Sequence, residues 1–114
     1  MSYYDSLETR DPAVREADLM DKLRSQLAHA KQASTYYAHV LAGIDPVACD
    51  SRQALAALPL TRKRELIELQ KATPPFGGLN ALAKGEVRRV FASPGPIFEL
   101  QGSEVDHWRM VRAL

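Results

Sequence analysis

Cysteine is almost absent. Cys49 alone stands in a chain of 114 residues, which excludes an intramolecular disulfide and any zinc site built on several thiolates. Set among alanine, valine and aspartate, it reads as a small structural residue rather than a nucleophile, and the reducing cytoplasm is the expected setting. Charge of one sign is lacking too. Fifteen Lys and Arg against 14 Asp and Glu leave a formal net charge of +1, so there is no polybasic arm for nucleic acid and no acidic tail. No stretch approaches the roughly 20 apolar residues of a membrane-spanning helix. The opening Met1-Ser2-Tyr3-Tyr4-Asp5 has none of the basic-then-apolar texture of a secretion signal. What remains, 25% charged and 46% hydrophobic, is the composition of one modest soluble domain or a piece of a larger one.

Asp11-Pro12 opens the first helix, because the aspartate can accept first-turn amides and proline loses nothing at the first helical position. Leu19, Leu23, Leu27 and Ala30, with Met20 alongside, recur at spacings of three and four and make one stripe apolar. Ser34 or Thr35 caps a shorter helix through Tyr36, Tyr37, Val40 and Leu41, which Gly43 stops. Asp50 or Ser51 starts a brief helical turn that ends before Pro59, and Thr61 restarts the helix over residues 62–71, with Leu66, Ile67 and Leu69 turned inward. Thr73-Pro74-Pro75-Phe76-Gly77-Gly78 cannot continue a helix and marks a loop suited to close backbone approach. Beyond it, Val87, Val90 and Phe91, then Ile97, Phe98 and Leu100, predict a two-stranded ribbon around Ser93-Pro94-Gly95-Pro96. Ser103 and Asp106 resemble a capping box, and Val105, Trp108, Val111 and Leu114 predict a terminal helix.

The fold class expected is therefore mainly α: a helical N-terminal subdomain over residues 1–73, then a loop, short β-ribbon and terminal helix over residues 74–114. A lone two-stranded ribbon is marginal in water, and the closing apolar stripe has no evident partner, so the sequence reads as cut rather than finished.

Few residues can carry chemistry. His29, His39 and His107 lie far apart, and only Glu104 stands at a helical metal-ligand spacing from any of them, so no metal site is expected. Glu65 and Glu68, among Arg62, Lys63 and Arg64, form a solvated helix face rather than an acid/base pair. Those three cations, with Arg88 and Arg89, could touch phosphates but lack the interleaved aromatics of a nucleic-acid footprint. Tyr3, Tyr4, Tyr36 and Tyr37 read as core staples. Ser93 and Gly95 offer a hydroxyl and an amide after a strand, as a phosphate turn would, while Pro94 and Pro96 remove two amide donors.

Taken in order, Tyr4-Asp5-Ser6-Leu7-Glu8-Thr9-Arg10, Gln26-Leu27-Ala28-His29-Ala30, Leu58-Pro59-Leu60-Thr61-Arg62-Lys63, Pro75-Phe76-Gly77-Gly78-Leu79 and Val90-Phe91-Ala92-Ser93 resemble the beginning of the phenylacetate-CoA ligases over nearly the whole chain. The resemblance implies a piece of a larger α/β adenylate-forming domain. In such enzymes ATP and a carboxylate give an acyl-adenylate and pyrophosphate, and the coenzyme A thiol then displaces AMP. It places Ser93 and Gly95 on the first serine and first glycine of the family's Ser/Thr/Gly-rich phosphate loop. Pro94, Pro96, Ile97, Phe98 and Glu99 replace the second serine, the threonines, the second glycine and the lysine, and a glutamate there repels phosphate.

The family's remaining equipment lies downstream, so this stretch is expected to hold no catalytic residue and to bind none of the full-length cofactors, ATP, Mg2+ and coenzyme A. Its expected partners are the remainder of the ligase chain or a second copy, with an aryl or acyl carboxylate as substrate of the whole enzyme and neither nucleic acid nor membrane. The competing expectation is a helical protein-interaction module using residues 11–71.

Overall fold

The computed structural model describes residues 2–113, so that Met1 and Leu114 lie outside the described residues. Six regular elements follow one another: α1 (Pro12–Ala33), α2 (Thr35–Val40), α3 (Arg52–Ala56), α4 (Lys63–Ala72), β1 (Arg89–Ser93) and β2 (Ile97–Gln101). The chain divides into two units, one of residues 2–29 and 44–58, the other of residues 30–43 and 59–113.

In the first unit α1 begins where Asp11 Oδ1 accepts the N–H of Ala13 at 2.8 Å and of Val14 at 3.3 Å. Met20 and Leu27, two turns apart, are buried and Leu23 is half-buried, whereas Leu19 points to solvent. The inward stripe is thus rotated towards Met20. Ser51 Oγ caps α3 by accepting the N–H of Ala54, and Cys49 just before it is buried, as its apolar surroundings predict. Arg52 then reaches Glu16 through two parallel bonds of 2.7 and 2.8 Å. Elsewhere on α1, Asp18 receives both Arg10 and Lys22 at 2.7 Å, and Arg24 pairs with Asp21.

The second unit is organised on α4. Ser34, nearly inaccessible, accepts the Tyr37 N–H at the start of α2 and donates its hydroxyl to the Gly78 carbonyl at 2.9 Å. That carbonyl also accepts the Tyr36 N–H at 3.0 Å. The glycine loop therefore lies against α2. Gly77, at φ +65°, lies so near α4 that a Cβ there would stand 2.9 Å from the Leu69 backbone carbon and Cβ, which explains why this turn requires glycine. The N-cap position of α4 is Arg62 rather than Thr61, and Glu65 folds back to accept the Arg62 N–H. β1 and β2 pair antiparallel, from Arg89 opposite Gln101 to Ser93 opposite Ile97.

The terminal helix expected on Val105, Trp108, Val111 and Leu114 does not form. Residues 103–108 make turns, and only a single 3-10 turn, Val111–Ala113, follows; Leu114 lies outside the described residues. The reason is local. Asp106 (φ 54°) and Arg109 (φ 53°) are left-handed, a conformation that ends helical propagation and that aspartate tolerates better than most residues. The Asp106 carboxylate takes the N–H groups of Met110 and Val111, and the Gly102 N–H turns to His107 Nδ1, so the amides find partners without a helix. The mainly helical architecture with its short ribbon otherwise follows the sequence reading.

Candidate functional site

The ribbon is the one expected site that the second unit builds, and α4 positions it. Gln70, on the last turn of that helix, is buried, and its carboxamide holds Phe98 twice: Nε2 donates to the Phe98 carbonyl at 2.9 Å and Oε1 accepts the Phe98 N–H at 2.8 Å. A side-chain amide thus pairs with β2 as a neighbouring strand would. Ile67, one turn earlier on α4, lies under the hairpin tip, 3.5 Å from where a Cβ on Gly95 would stand. Burial of Ile97 completes the seat.

At the tip itself, the Ser93 hydroxyl donates to the Ile97 carbonyl at 3.4 Å, closing the turn on itself. Gly95 takes φ +150°, and the peptide bonds before Pro75 and Pro96 are cis. Proline supplies no N–H, so positions 94 and 96 present no donor. Glu99 follows on β2, exposed. These groups do not fit a nucleotide's phosphates: the hydroxyl is bonded to the turn's own backbone, two amide donors are absent and Glu99, further along β2, is negative.

Two hollows flank α4. A cavity of about 280 Å³ lies between α4, the loop at residues 76–80, β2 and Trp108. Its floor is apolar, with Leu66, Phe76 and Ile97, and Gln70 and Glu99 supply polar groups. Trp108 packs edge-on against Phe91 at 6.1 Å and against the His107 ring at 5.0 Å. The second hollow, about 760 Å³, runs along the other side of α4 beside Tyr36, Arg62 and Arg64. Its positive character is cancelled by Glu65 and by Glu68, the latter held by Lys71 at 3.0 Å.

The remaining residues singled out in the sequence do not converge. His29 and His39 are exposed, and His107 serves as a backbone acceptor. Among the described residues no group of three or more His, Cys, Asp or Glu side chains could hold a metal ion, and no helix is long and apolar enough to cross a membrane. Tyr36 and Tyr37 pack edge to face on one another at 5.0 Å.

With that architecture, the chain superposes on 2-hydroxyisobutyryl-CoA ligase in the postadenylation state. Against the complex with 2-HIB-AMP the TM-score is 0.74 at 26% identity, over 81% of this chain and 20% of the ligase. Against the complex with R3-HIB-AMP it is 0.78 at 25% identity, over 90% of this chain and 24% of the ligase. This chain is homologous to part of an acyl-CoA ligase. It spans about a fifth to a quarter of the length of that enzyme. No protein-family model and no curated protein matches it. The homology is to the AMP-forming ligases as a superfamily, a broader relation than the phenylacetate-CoA ligases that the motif order suggests.

Sequence reasoning missed Gln70. A glutamine on the apolar side of an otherwise charged helix, in line with Leu66, is the signal that could have found it.

Proposed function

We propose that this chain is the N-terminal portion of an AMP-forming carboxylate-CoA ligase, close in kind to the phenylacetate-CoA ligases, and that it is a scaffold rather than a catalyst. The observation that carries the reading is the agreement in fold and a quarter of the sequence with a CoA ligase over four-fifths or more of this chain. The order of its short motifs, from Tyr4-Asp5-Ser6 to Phe91-Ala92-Ser93, supports it. Residues 1–73 form the helical subdomain and residues 74–114 the start of the nucleotide-binding α/β domain.

The whole enzyme would convert an aryl or acyl carboxylate to its adenylate and then to its coenzyme A thioester, with ATP, Mg2+ and coenzyme A as cofactors. Ser93 and Gly95 keep the place of the phosphate loop without its donors. This chain's own contribution is to seat the hairpin on α4, and the phosphate contacts belong to residues outside it. A cytoplasmic setting agrees with the single buried thiol.

The test is carboxylate-dependent ATP–pyrophosphate exchange by the complete gene product, run with aryl, branched-chain and hydroxy acids. Exchange that requires an acid, and that residues 1–114 alone do not catalyse, is expected. No exchange with any acid overturns the catalytic reading, and exchange by residues 1–114 alone overturns the scaffold role.

A further inference from the structure

The ribbon has two outer edges, and they are not alike. The Phe98 N–H and C=O both go to Gln70, so they point away from β1. Backbone polar groups alternate along an antiparallel strand, which puts Leu100 on the same outer edge as Phe98 and turns Ile97, Glu99 and Gln101 towards β1. Through the register, in which Val90 stands opposite Leu100 and Ala92 opposite Phe98, it is Val90 and Ala92 that direct their N–H and C=O outward from β1.

The outer edge of β2 is largely taken. Gln70 occupies Phe98, and beyond Leu100 the Gly102 N–H is bound to His107 Nδ1, so Leu100 is the one open position between them. The outer edge of β1 is free over two positions: among the described residues no hydrogen bond reaches the outward groups of Val90 or Ala92. That opening is bounded by Pro94, which has no N–H, and by Arg88, whose N–H goes to the Gln101 carbonyl at 2.7 Å. No proline or lysine guards it between Val90 and Ala92, and β1 is exposed from Arg89 to Ala92 while β2 is held to α4 through Phe98.

We infer that β1, not β2, carries the ribbon into a larger sheet, and that the strand pairing with Val90 and Ala92 comes from the remainder of the ligase chain. The occupant rests on the ligase reading: this chain spans about a fifth to a quarter of the homologous enzyme, and a two-stranded ribbon needs further strands or a packed helix for stability. The choice of edge rests on the hydrogen bonds alone. Gln70 acts on β2 as a plug, satisfying the position where an added strand would otherwise pair, and extension is left to the other side.

Amide hydrogen exchange, read residue by residue in the complete gene product, tests this. Phe91, whose N–H faces β2, is the internal standard for a paired amide. Val90 and Ala92 are expected to exchange slower than an open chain by about a hundredfold or more. Exchange of either at the open-chain rate overturns the inference, whatever Leu100 does. Protection that sedimentation finds only in a dimer assigns the edge to a second copy and overturns it as well. Carboxylate-dependent ATP–pyrophosphate exchange keeps the two claims apart. Activity with Val90 and Ala92 unprotected sinks the edge assignment alone, whereas protection in the monomer without activity on any acid supports the edge and sinks the catalytic reading.

Discussion

The carboxamide of Gln70 closes a two-bond ring with the backbone of Phe98, 28 residues away in sequence, at 2.8 and 2.9 Å. The pair is part-buried, with Gln70 enclosed and Phe98 37% exposed, so water replaces these bonds only in part when the carboxamide is lost.

Gln70→Leu is therefore expected to destabilise the chain by about 1–2 kcal/mol, the loss of two part-buried bonds offset by the gain of apolar surface. Urea unfolding measures it. Hydrogen exchange should place the loss at the Phe98 amide, and an unchanged exchange rate there would contradict the clamp.

Gly77→Ala combines a left-handed backbone with a Cβ 2.9 Å from the Leu69 backbone, and should cost about 2 kcal/mol or more. Gly85→Ala, with nothing within 4 Å of its new Cβ, should leave stability unchanged or raise it by up to about 1 kcal/mol. The contrast between these two midpoints is the measurement.

Ser34→Ala removes the α2 cap and one of two donors to the Gly78 carbonyl. Since the Tyr36 N–H still reaches that carbonyl, the loss should stay near 1–2 kcal/mol by thermal or chemical unfolding, about that of an ordinary cap.

Acid should loosen the first unit in a defined direction. Hydrogen bonding from Arg52 holds the Glu16 carboxyl below its ordinary value, and bonds from Lys22, then Arg10, do the same for Asp18 against an opposing effect of desolvation. A depressed carboxylate stabilises the fold fully above the ordinary carboxylate range and loses that contribution as pH falls through its lowered value. Melting followed from neutral pH into acid should show this loss, and Glu16→Gln together with Asp18→Asn should flatten it.

Local signals were legible and distant ones were not. Asp11, Ser34 and Ser51 announce helix starts because a cap bonds amides two or three residues on, within the reach of sequence reading. Gly77 was readable as a close approach for the same reason of short-range geometry. Gln70 was not, because its partner is set by how the ribbon folds onto α4. The closing segment misled in the opposite way: Val105, Trp108 and Val111 keep helical spacing, yet Val105 is 98% exposed and Asp106 spends its carboxylate on the turn it interrupts. Ser93 and Gly95 stand at the motif's positions, while the bond of the Ser93 hydroxyl to the Ile97 carbonyl depends on how the hairpin closes.

The lone thiol and the lone indole fall in different units, Cys49 shielded within the first and Trp108 standing beside the ribbon of the second. Alkylation kinetics of the one and emission of the other therefore form a pair of clocks that need no engineered residue. Whether they run in step under denaturant tells directly if the chain opens as one cooperative body or as two.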